Sequence, residues 1–178
     1  WYRLAAAQGH AEAHFKLGCS AYYHGRMGLK KSLKRASQLF KSAAAQGNAE
    51  AQTHLGFCYE RGLGVEIDHA AAVRWYRRAA DQGIPCAQHN LASMFYHGKG
   101  VAQSHDEAVK CWRLAAAQGW ADALCSLGAC HQNGLGVQRD LQEALRLFKR
   151  ASTKGHASAA AAVAELEAHL AAYSGGTV

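Results

Sequence analysis

Cysteine and histidine are the side chains here with the clearest potential for chemistry, because a thiolate or an imidazole can bind a metal or act as a nucleophile or base. The chain has six cysteines and 11 histidines. Cys86 and His89 are three residues apart and would share a helical face, whereas Cys125 precedes the Cys130–His131 pair by five residues. Structural zinc normally needs four ligands in recurrent short spacing, and the sequence has no Cys-x-x-Cys pair. We therefore expect no metal site and no cofactor.

The sequence also lacks the usual marks of a catalytic centre. It has no phosphate loop, no nucleophile elbow and no His-Glu-x-x-His motif. The histidines are scattered over predicted loops and helix starts. The glycines recur at a fixed period, so turns and helix caps explain them better than a nucleotide-binding loop does. We predict that the chain is not an enzyme.

Five glycines divide the chain at nearly constant intervals. Each ends a short string, Ala-Ala-x-Gln-Gly in four cases and Ala-Ser-Thr-Lys-Gly in the last, and the intervals are 38, 36, 36 and 36 residues: Gly9, Gly47, Gly83, Gly119 and Gly155. A second pattern, Gly-x-Gly-Val, recurs at 62–65, 98–101 and 134–137. Such a period indicates a repeat whose units bury their apolar faces by stacking on one another.

Each unit reads as two helices joined by the Gly-x-Gly-Val turn. Asp68, Ser104 and Asp140 are predicted to cap the second helices, and Ser104 and Asp140 have the spacing of a capping box, with Glu107 and Glu143 three residues on. Small residues at one position of each first helix should let the two helices of a hairpin approach closely: Gly18, Gly56, Ala92 and Gly128.

The run from Leu55 to Gly83 closely resembles the Sel-like repeat family, a relative of the tetratricopeptide repeats with a longer loop between its helices. The resemblance covers nearly the whole chain. It implies an all-α fold, an α/α superhelical solenoid of helical hairpins that serves as a scaffold or adaptor in protein complexes. Members of the family take part in signalling, in degradation of membrane proteins in the endoplasmic reticulum and in bacterial host interaction. His131 and Ala21 replace the aromatic residue found at Tyr59 and Phe95, so we expect the end units to pack less tightly.

Some bacterial members of the family carry a disulfide in every repeat. The corresponding positions here, such as Ala44 and Ala116, are alanine, and we expect the six cysteines to be free thiols packed as small apolar residues. The sequence also lacks an Asn-x-Ser/Thr acceptor. These features leave the compartment open and favour the cytoplasm slightly. No segment is long and apolar enough to cross a membrane.

The predicted organisation has seven parts. The chain opens in the middle of a repeat pattern, so we expect upstream repeats in a larger parent chain. The parts are the end of a truncated repeat (1–9), repeat 1 (10–47), repeat 2 (48–83), repeat 3 (84–119), repeat 4 (120–155), a C-terminal capping helix (156–173) and a disordered tail (174–178).

By analogy with tetratricopeptide stacks, the first helix of each hairpin should line a concave groove that binds a protein or peptide partner. Aromatic side chains in such a groove are typical anchors of recognition, although Phe15 and Phe57 could equally well complete the packing between repeats. Steps of three and four along the first helices give the predicted partner-binding set: Glu12, Phe15, Tyr22, Tyr23, Glu50, Thr53, Phe57, Glu60, Arg61, His89, Ser93, Tyr96, His97, Asp122, Gln132 and Asn133.

Charge is predicted to divide between the two faces. The first helices carry a net charge of −2, whereas the whole chain carries +7. The second helices are therefore basic, and an alternative function is that this convex face contacts nucleic acid or another acidic partner. The densest basic cluster is Lys30, Lys31, Lys34, Arg35 and Lys41. A solvated helix surface explains this cluster more simply, and nucleic-acid binding is the less favoured hypothesis.

Overall fold

The computed structural model describes residues 1–24 and 32–174, and all regular secondary structure in these ranges is helical. The predicted all-α class is confirmed. The helices are α1 (Tyr2–Ala7), α2 (Ala11–Cys19), α3 (Leu33–Ala45), α4 (Ala49–Arg61), α5 (His69–Asp81), α6 (Pro85–His97), α7 (His105–Ala117), α8 (Ala121–Asn133), α9 (Leu141–Thr153) and α10 (Ala159–Ser174), with a π-helical segment (Ser20–His24) after α2.

The two ends of the chain depart from the regular pattern. The first helix of repeat 1 changes from α to π geometry at Ser20, and Ala21, the small residue at the aromatic position, is fully buried there. Helix α10 begins at Ala159, three residues later than predicted, and still includes Ser174. The rest of the predicted tail, 175–178, lies outside the described residues, as do Lys30 and Lys31 of the basic cluster.

The chain forms two compact units, each with its own core. The first unit contains residues 1–87 and 98–102. In it α2 packs on α3, α3 on α4 and α4 on α5, around a core that includes Phe15, Phe40 and Leu55. The second unit contains residues 88–97 and 103–178. In it α7 packs on α8, α8 on α9 and α9 on α10, and Phe148 and Leu166 lie in the core at its end.

In repeats 1, 2 and 4 the two helices of the hairpin meet where an aromatic ring lies on a glycine. In repeat 2 a Cβ atom built on Gly56 would lie 2.8 Å from the ring of Tyr76, which is fully buried. The same contact joins Gly18 to Phe40 and Gly128 to Phe148. The predicted close approach at these positions is confirmed, because no larger residue leaves room for the ring.

The predicted N-caps are also present, in a simpler form than the capping box. The Ser104 hydroxyl accepts from the Glu107 amide at 3.2 Å, and the Asp140 carboxylate accepts from the Glu143 amide at 2.9 Å. The glutamate side chains bond to cations one turn further along the helix. Glu107 binds Lys110 at 2.6 Å, and Glu143 binds Arg146. Each cap therefore makes one of the two capping-box hydrogen bonds, from the N3 amide to the N-cap side chain, because the glutamate side chain pairs with a cation instead.

The Gly-x-Gly-Val loop contacts the preceding repeat through its second glycine. A Cβ on Gly136 would overlap the backbone of His105, at the start of α7. A Cβ on Gly64 or on Gly100 would overlap the backbone of Leu33 or of His69 in the same way. Each of these glycines also has a positive φ. The sequence indicated only a turn at these positions, whereas the structure shows that the turn is also the place where backbones of successive repeats touch.

Two repeats also share a hydrogen-bonded pair of glutamines within the hairpin. Gln82, from the Ala-Ala-x-Gln-Gly string, donates to the buried Gln52 at 2.8 Å, and Gln118 donates to the buried Gln88 at 3.0 Å. Gln52 in turn donates to the carbonyl of Ala44 at the end of α3, at 3.2 Å. The string therefore satisfies a buried amide of its own hairpin as well as ending a helix.

Replacement of Gly136 by alanine should destabilise the second unit by at least about 2 kcal/mol more than the same change at Gly155. Both residues have a positive φ, 68° and 83°, so both variants bear the left-handed backbone penalty. At Gly136 the new methyl group would overlap the His105 backbone, whereas nothing lies within 4 Å at Gly155. Urea unfolding followed by circular dichroism measures the difference, and equal losses in the two variants would contradict the backbone contact.

Candidate functional site

In the first unit, two neighbouring tyrosines form a partly exposed aromatic surface. The rings of Tyr22 and Tyr23 meet edge to face with centroids 4.6 Å apart, and Tyr23 is 50% exposed. Tyr23 also stands 6.3 Å from the ring of His54. Both phenols are neutral at physiological pH, and partial burial raises the pKa of each above its ordinary value.

The loop end of α4 presents a second aromatic residue with a cation above it. The Arg61 guanidinium lies 5.7 Å from the Phe57 ring centroid, and its Nε is 3.6 Å from the Glu60 carboxylate. Glu60 also accepts from the Tyr76 hydroxyl at 2.7 Å. The hairpin core therefore fixes Glu60, which in turn holds Arg61 over Phe57.

The other end of this face is acidic. Glu12 and Glu50 are exposed in the first turns of α2 and α4. Glu12 pairs with Lys16 at 3.3 Å and accepts from Asn48 at 3.1 Å. Carboxylates in the first turn of a helix are favoured by the helix dipole. This part of the predicted set offers negative charge without an aromatic anchor.

Two predicted groove residues of the first unit lie beneath the surface. Phe15 is 5% exposed, and its ring centroid lies 6.1 Å from that of Phe40 and 5.6 Å from that of His54. Thr53 is 8% exposed and donates its hydroxyl to the Ala49 carbonyl at 3.0 Å. The prediction that Phe15 and Thr53 line the groove surface was wrong. Both were chosen by steps of three and four residues along a helix, and at these positions such steps follow the edge of the buried stripe. The alternative that Phe15 completes the packing is the one the structure supports.

In the second unit, Tyr96 is the centre of an aromatic cluster. Its ring centroid lies 5.4 Å from Trp112, 4.8 Å from His105 and 5.0 Å from His97. Trp112 is buried, Tyr96 is half-buried and His97 is exposed. The cluster thus runs from the core to the surface, and it holds Tyr96 in a defined position.

His89 belongs to the same cluster through a hydrogen bond. The Trp112 indole donates to His89 Nδ1 at 3.2 Å. Burial lowers the pKa of His89, partly offset by Asp122, so the ring is neutral and can accept this bond. Ser93, one turn along α6 from His89, is half-buried. His89 therefore acts as a support for Trp112 as well as a surface residue.

The remaining predicted residues of the second unit lie on α8. Asp122 is exposed, with its carboxylate 3.5 Å from His156 Nε2. Gln132 and Asn133 line a cleft of about 310 Å³ whose other walls include Arg139, Glu165 and His169. Helix α10 thus packs on α9 and leaves a small cleft against the hairpin of α8 and α9.

The sequence did not single out three residues that support these surfaces from below or beside them: Trp112, His105 and His54. Trp112 and its counterparts Tyr76 and Phe148 are second-helix residues, so a choice restricted to first helices excludes them. Trp112 differs from Phe148 in carrying an indole N–H, which needs a partner when buried. The need of a buried indole N–H for an acceptor was the feature of the sequence that could have predicted a hydrogen bond from Trp112 to a residue of the other helix.

The structure also shows the state of the cysteines and the positions of the possible metal ligands. All six cysteines are free; Cys58 and Cys130 are buried, and burial raises the pKa of each thiol to about 11. Within 1–24 and 32–174, no group of three His, Cys, Asp or Glu side chains could hold a metal ion. In the same ranges no helix has the length and apolar character needed to cross a bilayer.

Comparison with known families agrees with the repeat pattern and the hairpin geometry. The Sel1 repeat model matches residues 1–10, 11–48, 49–84, 87–120 and 121–156. The chain therefore belongs to the Sel1 repeat family, and the resemblance inferred from its sequence is confirmed.

Solved structures support the same fold class. A protective antigen present in uropathogenic Escherichia coli strains, which displays an SLR fold, is 38% identical, and the match covers 86% of this chain and 32% of that one with a TM-score of 0.82. A Sel1 repeat protein from Oxalobacter formigenes is 31% identical, with 90% and 63% covered and a TM-score of 0.83. The predicted class, an α/α solenoid of Sel1 repeats, is confirmed.

A curated relative is the ERAD-associated E3 ubiquitin-protein ligase component HRD3A of Arabidopsis thaliana. It is 37% identical over 75 residues, which are 42% of this chain and 11% of that protein. The chain thus spans about a tenth of this relative's length. Sel1 repeats act in protein–protein interactions, and as a scaffold family they are generally non-enzymatic.

Stability of the first unit should fall as the pH drops below about 6.5, the ordinary pKa of histidine. The His54 ring stacks on Phe40 with centroids 5.0 Å apart, and burial lowers its pKa, partly offset by Glu50. The unfolded chain therefore binds a proton at a higher pH than the folded one, and stability present above pH 6.5 is lost as the pH falls towards the folded pKa.

The His54→Asn variant, which carries the residue found at Asn90 in the next repeat, should show a smaller loss of unfolding free energy between pH 7 and pH 5 than the wild type. Replacement of the exposed His97 by asparagine is the matched control. Urea unfolding at several pH values measures the slopes. Equal slopes for wild type and His54→Asn would contradict a neutral, buried His54.

Proposed function

We propose that this chain is a protein-interaction scaffold whose first helices bind a partner polypeptide. The binding surface of the first unit consists of Tyr22, Tyr23, Phe57, Glu60 and Arg61, with Glu12 and Glu50 at its acidic end. The binding surface of the second unit consists of His89, Ser93, Tyr96, His97, Asp122, Gln132 and Asn133. Membership of a protein-binding repeat family supports the class of function, and the surface chemistry supports the location.

The observation that carries the proposal is the position of Tyr96. A half-buried tyrosine backed by Trp112 and His105 loses little conformational entropy on binding, because its rotamer is already fixed. Tyrosine and tryptophan are enriched among the residues that contribute most to binding energy. The Arg61–Phe57 pair offers a similar, smaller anchor in the first unit.

The charges favour a partner with apolar and basic side chains. Arg61 is engaged with Glu60 and Phe57, and Lys16 with Glu12, so the cations of these helices are partly neutralised within the surface. Glu50 and Asp122 are exposed in the first turns of α4 and α8. Complementary charge on a partner would raise its association rate and discriminate against acidic sequences.

Alanine at Phe57 and at Tyr96, one substitution in each unit, should weaken binding of a peptide selected on the wild-type chain from a displayed random library. We expect each variant to lose about tenfold in affinity, because truncation of an aromatic anchor costs more than about 1 kcal/mol. Fluorescence anisotropy of the labelled peptide measures the affinity, and circular dichroism confirms that helicity is retained.

Two exposed apolar residues outside these surfaces provide matched controls. Ile67 and Leu114 are 63% and 57% exposed, and neither is in the proposed set. Alanine at these positions should leave affinity unchanged. Unchanged binding by both Phe57→Ala and Tyr96→Ala, or equal losses in the control variants, would place the peptide elsewhere and contradict the proposal.

A further inference from the structure

Helices α7 and α9 of the second unit both pack on α8, and they leave a cleft of about 440 Å³ between them. The apolar part of the lining includes the buried Leu127 and Leu147, which are 5% and 2% exposed. Three arginines, Arg113, Arg146 and Arg150, are exposed at its edge. The cleft thus combines an apolar floor with a cationic rim. Its three arginines lie on the second helices α7 and α9, and none of its lining residues is in the surface proposed above.

The three arginines differ in how far they are neutralised. Arg146 is held by Glu143 through two bonds of 2.7 Å, from Nε and from an Nη. No acidic side chain in residues 32–174 forms a salt bridge with Arg113 or Arg150. Two planar guanidinium groups at the rim are therefore available to an external anion. The bond between Arg146 and the Glu143 carboxylate is an internal example of the interaction that these arginines would make with a carboxylate of a ligand.

His131 also lines this cleft, and one of its ring nitrogens is unsatisfied. It occupies the position of Tyr59 and Phe95 in the two preceding repeats, and its ring is half-buried. Its Nδ1 is buried and has no hydrogen-bond partner in the described part of the chain. A buried polar atom without a partner is costly, and a ligand that supplied one would recover part of that cost.

A second cleft, of about 470 Å³, shares Arg113, His131 and Asp140 with the first and reaches the loop at Gly136 and Val137. The shared residues make the two clefts neighbours. Their volumes exceed what a single small anion fills and suit an extended segment of several residues.

We propose that this cleft binds an acidic peptide segment, with carboxylate side chains against Arg113 and Arg150 and an apolar side chain on the floor formed by Leu127 and Leu147. The site is independent of the first-helix surface and prefers the opposite charge in its ligand. It gives the chain a second docking position for a partner polypeptide.

The lining favours a peptide over nucleic acid. Asp140 and Glu143 stand on the same rim as the arginines, so the rim accepts negative charge at separate points. A peptide can space its carboxylates to match these points, whereas a continuous phosphate backbone cannot. The buried leucines offer nothing to phosphate or ribose but would cover an apolar side chain. A nucleic-acid ligand would also need charge distributed along a longer surface than two clefts of this size.

The test uses three labelled probes and the complete 178-residue chain. The probes are a 12-residue peptide alternating glutamate and leucine, the same peptide with glutamine in place of glutamate, and a single-stranded oligonucleotide of equal charge. We expect the glutamate peptide to bind, the glutamine peptide to bind at least about tenfold more weakly, and the oligonucleotide to bind more weakly than the glutamate peptide. Tighter binding of the oligonucleotide, or equal binding of the two peptides, would overturn the proposal.

The variants test which residues hold the acidic peptide. The double variant Arg113→Ala/Arg150→Ala should lose at least about tenfold in affinity. The control variant Arg3→Ala/Lys99→Ala removes the same charge from exposed residues of the first unit and should lose less than about twofold. Equal losses in the two double variants would show a general charge effect and reject the cleft.

A gain-of-binding variant keeps the test independent of folding defects. Glu143→Gln frees Arg146 and removes a repulsive carboxylate while leaving the backbone amide that Asp140 caps. It should strengthen binding of the glutamate peptide about threefold or more. No gain would contradict the site. Substitutions at Phe57 and Tyr96 should leave this affinity unchanged, so that failure of this site and failure of the first-helix surface are distinguishable.

Discussion

The contact on which the repeat array depends is backbone against backbone. The second glycine of each Gly-x-Gly-Val loop touches the start of a second helix in the preceding repeat so closely that a methyl group would overlap main-chain atoms. A contact of this kind tolerates little displacement, because neither side can rotate away as a side chain can. Within each unit it fixes the position of a first helix relative to the preceding second helix, α4 relative to α3 and α8 relative to α7, and so fixes which of their side chains remain at the surface. Arg61 is a defined part of a surface because the loop that follows it is held in this way.

Much of this arrangement was predictable from the sequence. The fixed spacing of the glycines gave the helical hairpins, and Asp68, Ser104 and Asp140 marked the starts of the second helices. The close approach of the two helices followed from the small residue at Gly56 and its counterparts, although the aromatic ring that lies on the glycine was not predicted. These features are local and repeat along the chain, so one unit supports the interpretation of the others.

The parts that were not predictable are those that depend on exact burial or on contacts across a hairpin. Phe15 and Thr53 lie at the edge of the buried stripe, where a rotation of a fraction of a turn decides between core and surface. The Glu107 and Glu143 side chains had two possible partners, a helix amide and a cation one turn further on, and sequence spacing does not distinguish them. The arginine-lined cleft between α7 and α9 required the relative placement of three helices, which the repeat pattern alone does not provide.

The two buried thiols have a practical consequence. Cys58 and Cys130 occupy the same position in repeats 2 and 4, one in each compact unit, and their raised pKa keeps almost no thiolate present at neutral pH. An alkylating reagent can therefore reach either sulfur only when its own hairpin opens. In a chain whose four other cysteines are replaced, the labelling rates of Cys58 and Cys130 would report local opening of the two units separately. The two native thiols thus serve as probes of local opening, and no new cysteine has to be introduced.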